Sequence, residues 1–134
     1  MVGGETVILR INAIAHEPID AAIVGFFVKD RLGQTLFGDN TYLSYMDSPV
    51  YCDPGDKIAA EFSFLMPIFP SGDYSINVAI GDGAQEQHVQ HHFVHDAKMF
   101  RSESGSSVGG LLGIPMQGIC LDIIAKDDNK ERDL

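Results

Sequence analysis

The densest run of groups able to bind or react is Gln87-His88-Val89-Gln90-His91-His92-Phe93-Val94-His95-Asp96. Imidazole can ligate a metal, move a proton near neutral pH, or exchange hydrogen bonds with a ligand. A side-chain amide such as that of Gln90 both donates and accepts. Strict alternation along an extended strand sends His88, Gln90 and His92 to one face and Val89, His91 and Phe93 to the other. A metal centre would need two of these histidines on one ion. His88 and His92 are four positions apart, about 13 Å on a strand, which is too far to share an ion without a bulge. No Glu follows at the interval a cupin-like site uses, so no metal is assigned. Two readings remain: a sheet face that hydrogen-bonds a hydroxyl-rich ligand, and half-buried histidines that serve the fold.

A second cluster surrounds Phe37-Gly38-Asp39-Asn40-Thr41, where Tyr42, Tyr45 and Tyr51 stand close in sequence. Tyrosine at such positions packs against a core or a sheet edge, or offers a platform for the apolar face of a sugar ring. In the second case Asn40 and Asp39 would read hydroxyls. Catalytic signatures are missing. The chain contains no Gly-x-Ser-x-Gly elbow, no His-Glu-x-x-His and no Gly-x-x-x-x-Gly-Lys-Ser/Thr loop. Ser44, Ser48 and Ser71 have no identifiable base, and nothing in the spacing brings Asp39 to Asp96. No catalytic residue and no cofactor are expected.

Charge narrows the partners further. Nine basic residues face nineteen acids, for a net charge of −10. Nucleic-acid binding needs a surplus of Lys and Arg to displace phosphate counterions, so that class is excluded, and an anionic membrane surface is disfavoured for the same reason. The start, Met1-Val2-Gly3-Gly4-Glu5, lacks the basic and apolar regions of a secretory signal, so a soluble, cytoplasmic protein is expected. The two cysteines, Cys52 and Cys120, form no paired framework. Cys120 is expected to pack as a small apolar side chain, and Cys52 lies at a turn.

The elements that position these groups are strands. Val7, Leu9, Ile11 and Ala13 alternate with Arg10 and Asn12. Ile58, Ala60, Phe62, Phe64 and Met66 alternate with Lys57, Glu61 and Ser63, and Tyr74, Ile76, Val78 and Ile80 with Asp73, Ser75 and Asn77. Residues 21–29 are almost continuously apolar, as in a central strand covered on both faces. Asp30-Arg31-Leu32-Gly33 closes a hairpin from 22–29 to 34–42, and Asp53-Pro54-Gly55-Asp56 has the type II turn pattern. Pro70-Ser71-Gly72-Asp73-Tyr74 has the form of a tyrosine corner, the mark of an immunoglobulin-like sandwich. On that topology the hairpins 22–42 and 73–96 share one sheet. Residues 102–110 read as a flexible linker, 118–125 as a last strand, and 126–134 as a disordered polar tail. A strand on so long a tether can pair with its own sheet or be exchanged with a second chain.

Taken in order, these motifs are familiar. Ile23-Val24-Gly25-Phe26-Phe27-Val28-Lys29-Asp30-Arg31-Leu32-Gly33-Gln34-Thr35-Leu36-Phe37-Gly38-Asp39-Asn40-Thr41 resembles the C-terminal domain of Wzt, the ATPase subunit of bacterial ABC exporters for O-antigen polysaccharide. Residues 70–83 and the segment Gln87-His88-Val89-Gln90-His91-His92 followed by His95-Asp96-Ala97 are similar to the same family, so the resemblance spans about residues 4–125. It implies a carbohydrate-binding module that recognises the non-reducing end of the glycan, including a terminal cap where one exists. It also implies a homodimer, because such exporters carry two ATPase subunits, and a place at the cytoplasmic face of the inner membrane. Contact with the ABC transporter membrane subunit would run through the ATPase domain, whose phosphate-binding motif these residues lack.

The expectation is therefore an all-β, immunoglobulin-like antiparallel β-sandwich over residues 1–125, not an enzyme, with C-terminal strand exchange in a dimer left open. The ligand-binding residues are Asn40, Tyr42, His88, Gln90 and His92. Tyr42 would stack on a ring, Asn40 and Gln90 would pair with vicinal hydroxyls, and the histidines would donate hydrogen bonds. The rivals are an assembly module indifferent to glycan and a metal-dependent enzyme on a β scaffold.

Overall fold

The computed structural model describes residues 1–83, 89–104 and 110–125, with backbone only for 89–96. Among the described residues six strands follow in order: β1 (Thr6–Ile14), β2 (Ala22–Asp30), β3 (Thr35–Asn40), β4 (Lys57–Leu65), β5 (Gly72–Asp82) and β6 (Val89–Ser102). A single 3-10 turn, Leu43–Tyr45, lies between β3 and β4. The strands make two antiparallel sheets, one of β1 and β4 and one in the order β3-β2-β5-β6. The hairpins expected to share a sheet do so, and the β-sandwich is confirmed.

Period-two patterning explains the layers. On β1 the residues Val7, Leu9, Ile11 and Ala13 turn inward while Ile8, Arg10, Asn12 and Ile14 are exposed. β4 does the same with Ile58, Ala60, Phe62 and Phe64. From the larger sheet, Val24, Phe26 and Val28 of β2 meet them, together with Tyr74, Ile76, Val78 and Ile80 of β5. Phe26 anchors the centre, with ring centroids 4.9 Å from Phe62 and 5.9 Å from Phe64. Such aromatic contacts add to the stabilisation from area burial alone.

The turns are built as their sequences require. The Asp30 carboxylate accepts hydrogen bonds from the N–H of Leu32 and of Gln34, each at 2.9 Å, which closes the β2–β3 hairpin. Asp56 N–H donates to the Asp53 carbonyl at 3.0 Å, and Gly55 takes φ +92°, as the third position of a type II turn demands. The tyrosine corner is present: Tyr74 Oη donates to the Pro70 carbonyl at 2.6 Å.

Four sequence expectations need correction. β2 is central, but it is covered on one face only: Phe26 and Val28 are 2% exposed, whereas Phe27 between them is 41% exposed. β3 stops at Asn40 instead of running to 42. Residues 118–125 belong to no strand within the chain, and Ile119, Leu121, Ile123 and Ile124 are 85–97% exposed. Cys120 is exposed with them, while Cys52 is buried beside Ala15 and Ile19. The alternation of 118–125 suits a strand, yet among the described residues it pairs with none. The tail 126–134 and most of the linker lie outside the described residues.

Candidate functional site

The polar groups gather where β3 ends, at Asn40. Asn40 Oδ1 accepts a hydrogen bond from Tyr42 N–H at 2.9 Å, and Asp39 Oδ1 accepts one from Asn40 N–H at 2.8 Å. Thr41 locks the segment to β2: its hydroxyl accepts from Val24 N–H at 3.0 Å, and its own N–H donates to the Val24 carbonyl at 3.0 Å. These bonds end the ladder and start the 3-10 turn. Asn40 and Tyr42, two of the five expected site residues, are thereby held side by side.

They line a cleft of about 830 Å³ between the β3 and β4 edges of the sandwich. Asp39, Asn40, Tyr42 and Tyr45 form one side, and Glu61 and Phe62 of β4 the other. Tyr42 and Tyr45 are part-exposed rings beside an amide and a carboxylate, an arrangement that can stack on a ring and exchange hydrogen bonds with hydroxyls. Glu61 is held by Arg10, with 2.9 Å between Nη1 and Oε1. Tyr51 stands apart, hydrogen-bonded to Asp53, whose carboxylate raises the phenol pKa above its ordinary value. Among the described residues no three His, Cys, Asp or Glu side chains come together as metal ligands.

The remaining expected residues sit elsewhere. His88 lies outside the described residues. Gln90 and His92 are on β6, their backbones paired with Gly81 and Ile80 across a register shift, and their side chains lie outside the described set. The sheet order places β6 three strand spacings from β3, about 14 Å. The backbone thus places Asn40 and Tyr42 at the β3 edge of the sheet and Gln90 and His92 on the strand at its opposite edge.

One residue of this surface escaped the sequence reading. Phe27 faces outward between Gly38 of β3 and Asn77 of β5 in the same cross-strand row. A Cβ at Gly38 would lie 2.8 Å from Phe27 Cδ1 and 2.3 Å from the Phe26 carbonyl oxygen. The phenyl ring thus lies against the strand where a side chain would otherwise stand. The next row holds Asn40, Gly25 and Ala79. A glycine within a strand opposite an aromatic is the signal that could have revealed it.

A second opening is larger and apolar. About 1460 Å³ lies between the β1 and β6 edges, lined by Val7, Leu9, Ile11, Val78 and Phe100 among others.

Comparison with known proteins matches this architecture. The family model of the Wzt C-terminal domain matches residues 1–114. Among solved structures, the one described as the crystal structure of the C-terminal domain of wzt superposes with a TM-score of 0.75 at 18% identity, covering 90% of this chain and 73% of that one. No curated protein matches the chain.

Proposed function

Since the chain belongs to the Wzt C-terminal domain family, we propose that it binds the non-reducing terminal region of O-antigen polysaccharide and confers substrate specificity on an ABC exporter. The observation that carries this reading is family membership over residues 1–114. The arrangement at Asn40 and Tyr42 supports it, because an amide and a phenol fixed side by side in an open cleft suit a hydroxylated ring. Gln90 and His92 would extend the contact from the β6 side, and His88 belongs to the same proposed set. The role is binding without catalysis, at the cytoplasmic face of the inner membrane, with nucleotide hydrolysis assigned to the ATPase domain of the exporter.

The working unit is a homodimer completed by exchange of the last strand. Ile119, Leu121 and Ile123 recur at every second position of an exposed segment, and the opening between β1 and β6 is apolar. Two sites in one dimer would compensate for the weak affinity that polar contacts with sugars give singly.

The test is retention of the purified domain on a panel of O-polysaccharides with and without their native chain ends. Binding to one glycan, lost when its terminus is removed, is the expected result. A folded dimer that retains none of them would instead make this an assembly module.

A further inference from the structure

We propose that Phe27 is the ring platform of the glycan site, so that the ligand lies across the outer face of the four-stranded sheet, from Asn40 toward β6, instead of ending in the cleft at Tyr42. This rests on the reading of the domain as a glycan-binding module. The exposed phenyl ring is the first observation. An aromatic side chain in the middle of a strand, flanked by two fully buried neighbours, stays 41% exposed. Its position is fixed by packing against Gly38, where the approach of ring to backbone leaves no room for a Cβ. A ring held in this way loses little freedom when a ligand covers it, which favours binding.

The second observation is what borders the ring. Asn40 is in the adjacent cross-strand row, opposite Gly25, so the amide and the ring are neighbours on one face. A Cβ at Gly25 would come within 3.0 Å of Asn40 Cβ, so the glycine lets the amide sit close to β2. The platform is therefore continuous with the pair Asn40–Tyr42.

Charge gives the third. The chain carries −10, yet the described residues of this face on β2, β5 and β6 present Lys29, and Asp73 matched to Arg101 at 3.1 Å. Asp73 is the only acid among them. Among these described residues acid is not in excess, so they set no repulsive field against a sugar. A phenyl ring offers only its apolar face, so the class of ligand is a pyranose with one contiguous C–H face, laid flat with its hydroxyls pointing sideways toward Asn40.

The experiment compares wild type with Phe27→Leu, Phe27→Trp, Asn40→Ala and Tyr42→Ala, using the O-polysaccharide of the panel that wild type retains. Phe27→Leu keeps an apolar side chain over Gly38 but has no ring, so its melting temperature should stay near that of wild type while binding weakens about tenfold. Phe27→Trp should bind and, because the chain has no other Trp, should report glycan directly as a change in emission that free monosaccharides of the wrong class do not cause. Loss of binding in Asn40→Ala and Tyr42→Ala with full binding and silent emission in the Phe27 variants overturns the platform and leaves the glycan reading standing. Absence of binding by wild type to any glycan of the panel overturns both.

Discussion

Leu121→Ala is the sharpest probe of how the domain completes itself. Leu121 is 97% exposed in the single chain, so within one chain its truncation removes no packing and should change stability by no more than about 0.5 kcal/mol. In a strand-exchanged dimer the same side chain is buried, and truncating a buried Leu costs about 2–3 kcal/mol at the lower end of the measured range. Two-fold symmetry applies that cost twice, about 4–6 kcal/mol per dimer, or roughly a thousandfold to twenty-thousandfold in the dissociation constant. Sedimentation equilibrium across protein concentrations reads the constant, and urea unfolding of the same samples reads stability. The expected pattern is a dimer weakened a thousandfold or more with a concentration-dependent unfolding midpoint. Loss of about 2 kcal/mol with no concentration dependence would mean that the strand folds back on its own sheet. No change in either measurement would refute the reasoning altogether.

Tyr74→Phe should cost about 1–2 kcal/mol at pH 7, because it removes a bond to the Pro70 carbonyl that water reaches only in part. Burial raises the Tyr74 pKa above 10.0. The unfolded chain therefore ionises first, and the stability present below that value is lost as pH rises through the folded pKa. Phenylalanine has nothing to ionise, so the gap between wild type and variant in urea unfolding should narrow above about pH 10; a constant gap would count against it. Cys52, buried and likewise raised above 9.0, adds its own loss of stability from about pH 9, and Cys52→Ala should flatten that part of the curve measured by thermal melts. Gly38→Ala should destabilise the β2–β3 hairpin by about 1–3 kcal/mol, since the added methyl meets backbone at the Phe26 carbonyl as well as the Phe27 ring. An unchanged melting temperature for that variant would show that the strands separate there at little cost.

Alternation made β1 and β4 legible residue by residue because each has one face in the core and one in water. The same logic misread β2. Phe27 stands in an unbroken apolar run, and the run by itself does not say that one aromatic in it faces outward; that depends on whether a further layer covers the sheet. Ser75 and Asn77 are the converse, polar side chains on the outer row that are nevertheless buried. Asn40 and Tyr42 were found together because they are neighbours in sequence. Their relation to β6 was not legible, because it depends on the order β3-β2-β5-β6 and on a register shift between Gln90 and His92 that no local pattern announces. The tail was legible as a strand for its alternation, but whether it has a partner is a property of the assembly.

The pairing of β1 with β4 has a consequence for how the chain reaches this state. Thr6 lies opposite Leu65 and Ala22 opposite Asp82, so both sheets are closed by contacts between residues far apart in sequence, and the local hairpins are β2–β3 and β5–β6. Such topologies fold in milliseconds to seconds, because loop closure must precede the contacts that reward it. On the ribosome β1 waits for some fifty residues before its partner emerges, and the apolar segment 118–125 appears after every strand it could join. Synthesis order thus makes the last segment an addition to a sandwich already formed, and the rate of that step is set by how soon a receptive edge is met.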